Sequence, residues 1–440
     1  MANLQNAAFR LNGRNRIDFN VHQRTTLTLF IAYKTVKVMV TSRTPSAMPF
    51  AEFIALMALL TSIVALAIDT ILPGLYEISS SLGAQEQNQR QQLISVLFLG
   101  MAISQIVYGP ISDAVGRKKP IYVGLALFII GSVISALAQD FSTMLFGRFL
   151  QGVGAAGPKI VCMAIVRDQY AGREMARILS LIMVIFLMVP AVAPALGQTM
   201  LYFFEWQAMF WMFVGLASVA WIWLIFRQPE TLDLSKRNPV KFRFISARFI
   251  ELCQHKTTMV YTIAAGLVFG AFIGFLNSAQ QILQEHYALG NQFALYFATL
   301  AIALGIASYI NAKLVMRFGM RSLCRFSLSA LTIISFGFLL IISNSPPSLV
   351  AFMAYLIISF LVIGLLFGNF NALALEPQGH IAGLAAAFVG SLSSLISLGL
   401  GYLVGFFYND TIIPLVVSFA VLSLCSLVLT ASHERGDPMR

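Results

Sequence analysis

Charge is scarce in this sequence. Asp, Glu, Lys and Arg make up 11% of the 440 residues, against about 25% in soluble domains. With 58% hydrophobic residues, a water-facing surface cannot be assembled, so lipid must be the solvent. Paired cysteines are missing too. Cys162, Cys253, Cys324 and Cys425 lie far apart, without the spacing of a zinc site or a disulfide framework. No HExxH, GxSxG or metal-ligand cluster occurs, so an enzyme has no foothold and no metal or organic cofactor is expected. The stretch Gly152-x4-Gly157-Pro158-Lys159 imitates a phosphate loop. It lacks Lys directly after the second glycine and Ser or Thr after that, which excludes an ATP-driven pump. Acidic residues are fewer than basic ones, 18 against 29. The basic residues sit in short stretches between apolar runs, as juxtamembrane charge does, so nucleic acid is not an expected partner.

Long apolar runs are what the sequence has. A span needs about 20 residues, and candidates lie at 51–73, 92–112, 120–138, 142–165, 177–200, 206–226, 258–283, 291–314, 322–343, 348–371, 381–407 and 411–431. The fold class is therefore all-α, with twelve transmembrane helices in two six-helix bundles. Lys and Arg collect in alternate loops. One set holds Arg117, Lys118 and Lys119, then Arg167 and Arg173, with Arg177 at a span edge. The central loop adds Arg227, Lys236, Arg237, Lys241, Arg243, Arg248 and Lys256. A third group is Lys313, Arg317, Arg321 and Arg325, and the tail has Arg435 and Arg440. The opposite loops offer only Arg90. Both termini are expected in the cytoplasm of a multi-pass plasma-membrane protein, monomeric in the bilayer.

The chain divides into an arm at 1–50, a six-span bundle at 51–226, a basic linker at 227–257, a second bundle at 258–431 and a tail at 432–440. A surface helix is expected around Phe244–Gln254. Residues 1–50 are either a cytoplasmic arm or an over-extended start, with Met48 just ahead of the first span. Two six-span halves fit a duplicated transporter with its site between them near mid-membrane.

The second span ends in Gly109-Pro-Ile-Ser-Asp113-Ala-Val-Gly116-Arg117-Lys118-Lys119. Glycine permits tight reversal and close approach. Asp113 can meet Arg117 and a neighbouring helix N-terminus, whose partial positive charge favours an anion. Such contacts would latch one conformation. Spacing, residue types and location resemble the GxxxDxxGRKx loop of the major facilitator superfamily. About 200 residues later, Ala312-Lys-Leu-Val-Met-Arg317-Phe-Gly319-Met-Arg321 is a degraded echo, with Met316 where the acid stood.

The fourth span holds Arg148-Phe-Leu-Gln151-Gly152-Val-Gly154-Ala-Ala156, which resembles the RxxQGxgaa motif of the same superfamily. An arginine inside a span is costly unless paired or wetted. The resemblance implies a part in proton coupling; snorkelling to the interface is the plain alternative. In the fifth span, Pro190, Pro194 and Gly197 partly resemble the Gly/Pro-rich antiporter motif, and prolines kink a helix. The first span's Ala67-Ile-Asp69-Thr-Ile-Leu-Pro73 resembles the Bcr/CflA-type drug:proton antiporters. Arg167-Asp168, Trp206 and Arg227-Gln-Pro-Glu230-Thr extend that resemblance over most of residues 51–431.

Counted from the span ends, Asp69 and Arg148 lie at similar depth and can pair. A carboxylate balanced between burial and an arginine can load a proton on one side and release it on the other. A static salt bridge, or an Asp in headgroup water, is the plain alternative. Lys159 follows Arg148 by three helical turns and either lines the cavity or reaches the interface. Asn277 and Gln281 share a helix face and can serve substrate, or equally glue helices together. Together with Gln151 and Lys159 they form the expected substrate cavity.

The resemblance implies proton-coupled export of small amphipathic compounds or drugs by alternating access, with protons, a small-molecule substrate and lipid as the only partners and the proton gradient as energy source. A metabolite importer or facilitator shares the fold and the loop. A membrane receptor or assembly factor without transport is the alternative of another class.

Overall fold

A backbone crossing lipid must satisfy its N–H and C=O groups internally, and runs of twenty or more apolar residues do so as helices. A computed structural model describes residues 48–84, 87–170, 172–237, 242–342 and 346–435. Among these no strand occurs, and twelve helices are long and apolar enough to cross a membrane. The expectations for the N-terminal arm fall almost wholly outside the described residues.

The first span is α1 (Phe50–Asp69), a 3-10 turn at Leu72–Gly74 and the short α2 (Leu75–Ser81). Then follow α3 (Gln92–Val115), α4 (Lys118–Ala136), α5 (Phe141–Gln169), α6 (Gly172–Phe203) and α7 (Gln207–Arg227). The linker carries α8 (Phe242–Gln254), a helix over the segment where a surface helix is expected. The second half has α9 (Lys256–Gln280), α10 (Phe293–Phe318), α11 (Met320–Ile342), α12 (Leu349–Leu375), α13 (Ala382–Phe406) and α14 (Ile413–Arg435).

The pairings inside the first half recur in the second. The contacts α1–α6, α3–α5, α4–α7 and α4–α5 have counterparts six spans later in α9–α13, α10–α12, α11–α14 and α11–α12. The halves meet mainly through α3–α13 and α6–α10, which exchange places under the same relation. The repeat is visible in the turns as well. Gly116 after α3 has φ +100° and Gly319 after α10 has φ +77°, both in the region that L side chains avoid.

Close packing within the first half rests on small residues. A Cβ on Gly152 of α5 would lie 2.0 Å from the Leu97 carbonyl oxygen of α3. Hydroxyls inside the spans bond their own helix: Thr61 to the Met57 carbonyl, Ser104 to that of Gly100, Ser132 to that of Phe128. That satisfies each O–H without water. Large apolar side chains such as Val107, Phe226 and Leu340 remain exposed, the surface that lipid would cover.

Two boundaries are corrected. The first span runs on to Ser81, because the helix resumes after Pro73. The last helix reaches Arg435, so the expected tail begins inside the bundle. There Glu434 is buried, pairs with Arg325 of α11 and accepts a hydrogen bond from the Tyr261 hydroxyl of α9 at 2.9 Å.

Candidate functional site

A cavity of about 790 Å³ lies between the halves at the end that carries the Gly109–Lys119 loop. Thr61 of α1, Gln105, Gly109 and Asp113 of α3, Lys159, Met163 and Arg167 of α5 and Phe186 of α6 form one wall. Phe367 of α12 and Leu384 and Ala387 of α13 form the other. The lining is mostly apolar with a few convergent polar groups, the usual character of a small-molecule site.

The opposite end is closed by polar contacts across the halves. Arg90, in the turn before α3, pairs with Glu285 and donates to Gln280 Oε1 at 3.0 Å. Gln91 donates to Gln281 Oε1 at 2.6 Å, and Gln281 donates to Asn88 Oδ1 at 2.9 Å. One turn further in, Asn277 donates across the halves to Ser95 Oγ at 3.2 Å and, within its own half, to the Gly401 carbonyl of α13 at 3.0 Å. Residues Gln281–His286 form a π-helical turn that continues α9, a local irregularity frequent at functional sites.

This corrects the expected cavity. Asn277 and Gln281 do share a face, but that face is sealed against the first half rather than open to the cavity. Gln151 is also elsewhere, fully buried between α4 and α5. It accepts from Arg148 Nη1 at 2.8 Å and donates to Ser132 Oγ at 2.7 Å. Of the four expected cavity residues, Lys159 alone lines the cavity.

Arg148 is buried, and its Nε donates to the Leu93 carbonyl at 3.0 Å while Nη2 has no hydrogen-bond partner among the described residues. Asp69 is also buried, at the C-terminus of α1 where the helix breaks toward Pro73. Among the described residues no hydrogen bond or ion pair reaches its carboxylate, so the expected Asp69–Arg148 pair is absent. The depth argument fails for a definite reason. With the first span extended to Ser81, Asp69 lies twelve residues from its end, while Arg148 lies seven residues from the start of α5.

The loop after α3 is a charge cluster. Arg117 Nη1 donates to Asp113 Oδ1 at 2.5 Å, and its Nε donates to Asp168 Oδ2 of α5 at 2.7 Å. Burial pulls the guanidinium down, and the bonds to Asp168 and then Asp113 outweigh it, holding Arg117 above ordinary arginine. Glu230 Oε1 accepts from the Arg117 backbone N–H at 2.8 Å, and Oε2 from that of Lys118 at 3.1 Å. The helix N-terminus expected for Asp113 is thus capped by Glu230 instead, and Asp113 stays half exposed beside the cavity. Partial burial works against the Glu230 carboxylate, yet bonds from the backbone N–H groups of Arg117, Leu232, Lys118 and Thr231 keep it below its ordinary value. A Cβ on Gly116 would lie 2.6 Å from Glu230 Oε2, so the glycine is needed for space as well as for φ.

In α6 the helix runs unbroken through Pro190 and Pro194. Gly197 has a different role from the expected kink. A Cβ there would lie 1.9 Å from the Thr70 carbonyl oxygen, so Gly197 lets α6 sit directly on the break next to Asp69.

The profile described as Major Facilitator Superfamily matches residues 57–398. The chain belongs to the major facilitator superfamily. Within it, the chain is 30% identical to the "Uncharacterized MFS-type transporter YdgK" of Bacillus subtilis, over 81% of this chain and 88% of that protein. It is 27% identical to the "Bicyclomycin resistance protein homolog" of Haemophilus influenzae, covering 86% and 94%. It is 28% identical to "Multidrug resistance protein MdtL" of Escherichia coli, covering 83% and 92%. The solved D-xylose–proton symporter superposes with a TM-score of 0.68 at 14% identity, over 87% of this chain and 97% of that one, and shares the fold alone. A multi-pass membrane transporter of this superfamily is what these relations and the twelve helices establish.

Sequence reasoning missed the closed end. Arg90 was the one basic residue among the loops on its side, and that isolation was the available signal. Its partner Glu285 gave none, because the π-helical turn that presents it follows no simple period. Asp168 and Glu230 carry part of the family resemblance, and their shared grip on Arg117 is a tertiary contact that no spacing in the sequence encodes.

Proposed function

We propose that this superfamily member exports small amphipathic compounds, drugs among them, in exchange for protons by alternating access. The observation that carries the reading is Asp69: a buried carboxyl group without a partner, at a break in the first span, against which α6 packs through Gly197. A carboxyl group so placed changes its protonation when the surrounding helices move, which couples a proton to the conformational change. Arg148, short of one partner, sits in the same half and tunes that response.

The contrast between the two ends supports alternating access. One end is sealed by Arg90–Glu285 and Asn277–Ser95, and the other opens into the cavity. Lys and Arg at the open end support its assignment to the cytoplasm, which makes this an inward-facing state. The Asp113–Arg117–Asp168 cluster serves as the latch of the other state, and Asp113 has not engaged the second half here. The names of the Haemophilus and Escherichia relatives support drugs as cargo and export as direction.

A susceptibility panel with and without the protein finds a substrate. Inverted vesicles then test direction: acidifying their lumen should drive uptake of that compound. Uptake only in right-side-out vesicles would make the protein an importer, and no proton-linked flux in either would end the reading.

A further inference from the structure

Two cations on the cavity wall are left without an answer. Lys159 and Arg167 both line the cavity from α5. Among the described residues neither has a hydrogen-bond or ion-pair partner. The third cation there, Arg117, is already held by Asp113 and Asp168. Among the described residues Asp113 is the sole carboxylate on the wall, and it is bonded to Arg117. Lys159, Arg167 and Arg117 against Asp113 and the Asp168 behind it leave one net positive charge, and Lys159 stands apart from that cluster over an apolar floor that includes Ile160, Met163 and Phe186.

The two are eight residues apart, about 12 Å along the helix. Lys159 is the deeper and half buried; Arg167 is exposed, its Nη1 3.5 Å from where a Cβ on Gly383 of α13 would stand. An ammonium in a mostly apolar cavity costs free energy until a counter-charge arrives. Among the described residues no side chain on this wall bonds Lys159, so a bound solute is left to do so. The outer cation concentrates anions at the mouth, and the inner one fixes an acidic group while the apolar floor takes the rest.

We propose that the cavity selects amphipathic organic anions, a carboxylate or sulfonate on an aromatic or aliphatic body, with Lys159 as the counter-ion and Arg167 as the steering charge. The proposal rests on the transport reading for the identity of the cavity. An anionic lipid headgroup shares this chemistry, so the test separates the two sources.

The test uses the full-length protein in phosphatidylcholine nanodiscs and measures binding of 1-naphthaleneacetate against its neutral amide. The acid is expected to bind at least tenfold tighter. Lys159→Gln should abolish that ratio by weakening binding of the acid, and Lys159→Arg should keep it. Equal binding of acid and amide by the unaltered protein overturns the proposal, whether or not the variants fold. So does an acid preference that survives intact in Lys159→Gln. Adding phosphatidylglycerol should leave the ratio in place; its loss would make a lipid headgroup the occupant and overturn the case for a free solute. The assay needs neither proton flux nor direction. Loss of the anion preference with pH-driven export intact sinks this proposal alone, and the reverse result sinks only the export reading.

Discussion

Arg90 and Glu285 form an ion pair across the two halves, with Arg90 2% exposed and its guanidinium also bonded to Gln280. Because this pair belongs to the closed end only, it sets the balance between the two openings. Arg90→Ala removes charge-assisted bonds worth about 1.5–3 kcal/mol each when buried. Glu285 is one third exposed, so the lower figure applies. The expected outcome is a shift toward the state open at the Arg90 end, read as faster maleimide labelling of Ser95→Cys. The charge-swapped double variant Arg90→Glu, Glu285→Arg should recover part of the slow labelling. Unchanged labelling in Arg90→Ala would show that the pair does not hold this end.

Gly116→Ala should damage the opposite end. Its φ of +100° lies where an L side chain is strained, at about 1–3 kcal/mol, and the new methyl would strike Glu230 Oε2. Thermal unfolding in detergent should start several degrees lower, with export reduced in parallel. A fully active, equally stable variant would mean that the loop carries no conformational load.

Glu230 gives the cluster a pH dependence. Its carboxylate is held below the ordinary value of 4.5 in the folded protein. The sign follows from linkage: the unfolded chain binds the proton more readily, so the contribution is present above pH 4.5 and is lost as pH falls through the lower folded value. Acid should thus loosen the Arg117 loop before it unfolds the bundle, and Glu230→Gln should flatten the acid limb of a stability–pH profile. An identical acid limb in the variant would remove Glu230 from this role.

Gly197→Ala tests the contact beside Asp69. The colliding atom is the Thr70 backbone oxygen, which cannot swing aside, so α6 must shift. Overpacking of this kind costs about 1–3 kcal/mol, and export should fall with the protein still inserted. Wild-type export would show that α6 tolerates displacement at this level.

The fold was legible because each span writes twenty apolar residues in succession, and lipid allows one answer to that pattern. The Gly116 loop was legible because a tight reversal with fixed charges constrains local sequence, and Gly319 repeated it. Contacts between halves were not legible. Asn277 and Gln281 share a face on any helical wheel, but whether that face meets a cavity or Ser95 and Gln91 depends on which end is closed. The Asp69–Arg148 pairing failed on a similar point. A helix that breaks at Pro73 and resumes to Ser81 shifts every depth counted from its apparent end. For Lys159 the helical turn left two positions open, the cavity or the interface, and it lines the cavity.

Proton coupling through Asp69 is the centre of the account, and counterflux tests it most directly. Proteoliposomes loaded with a pH-sensitive dye, with an acidic lumen, receive a compound identified by the susceptibility panel. The unaltered protein should discharge the pH gradient on addition of that compound, and Asp69→Asn, inserted to the same level, should leave the gradient standing. Equal discharge by the two proteins would contradict the account.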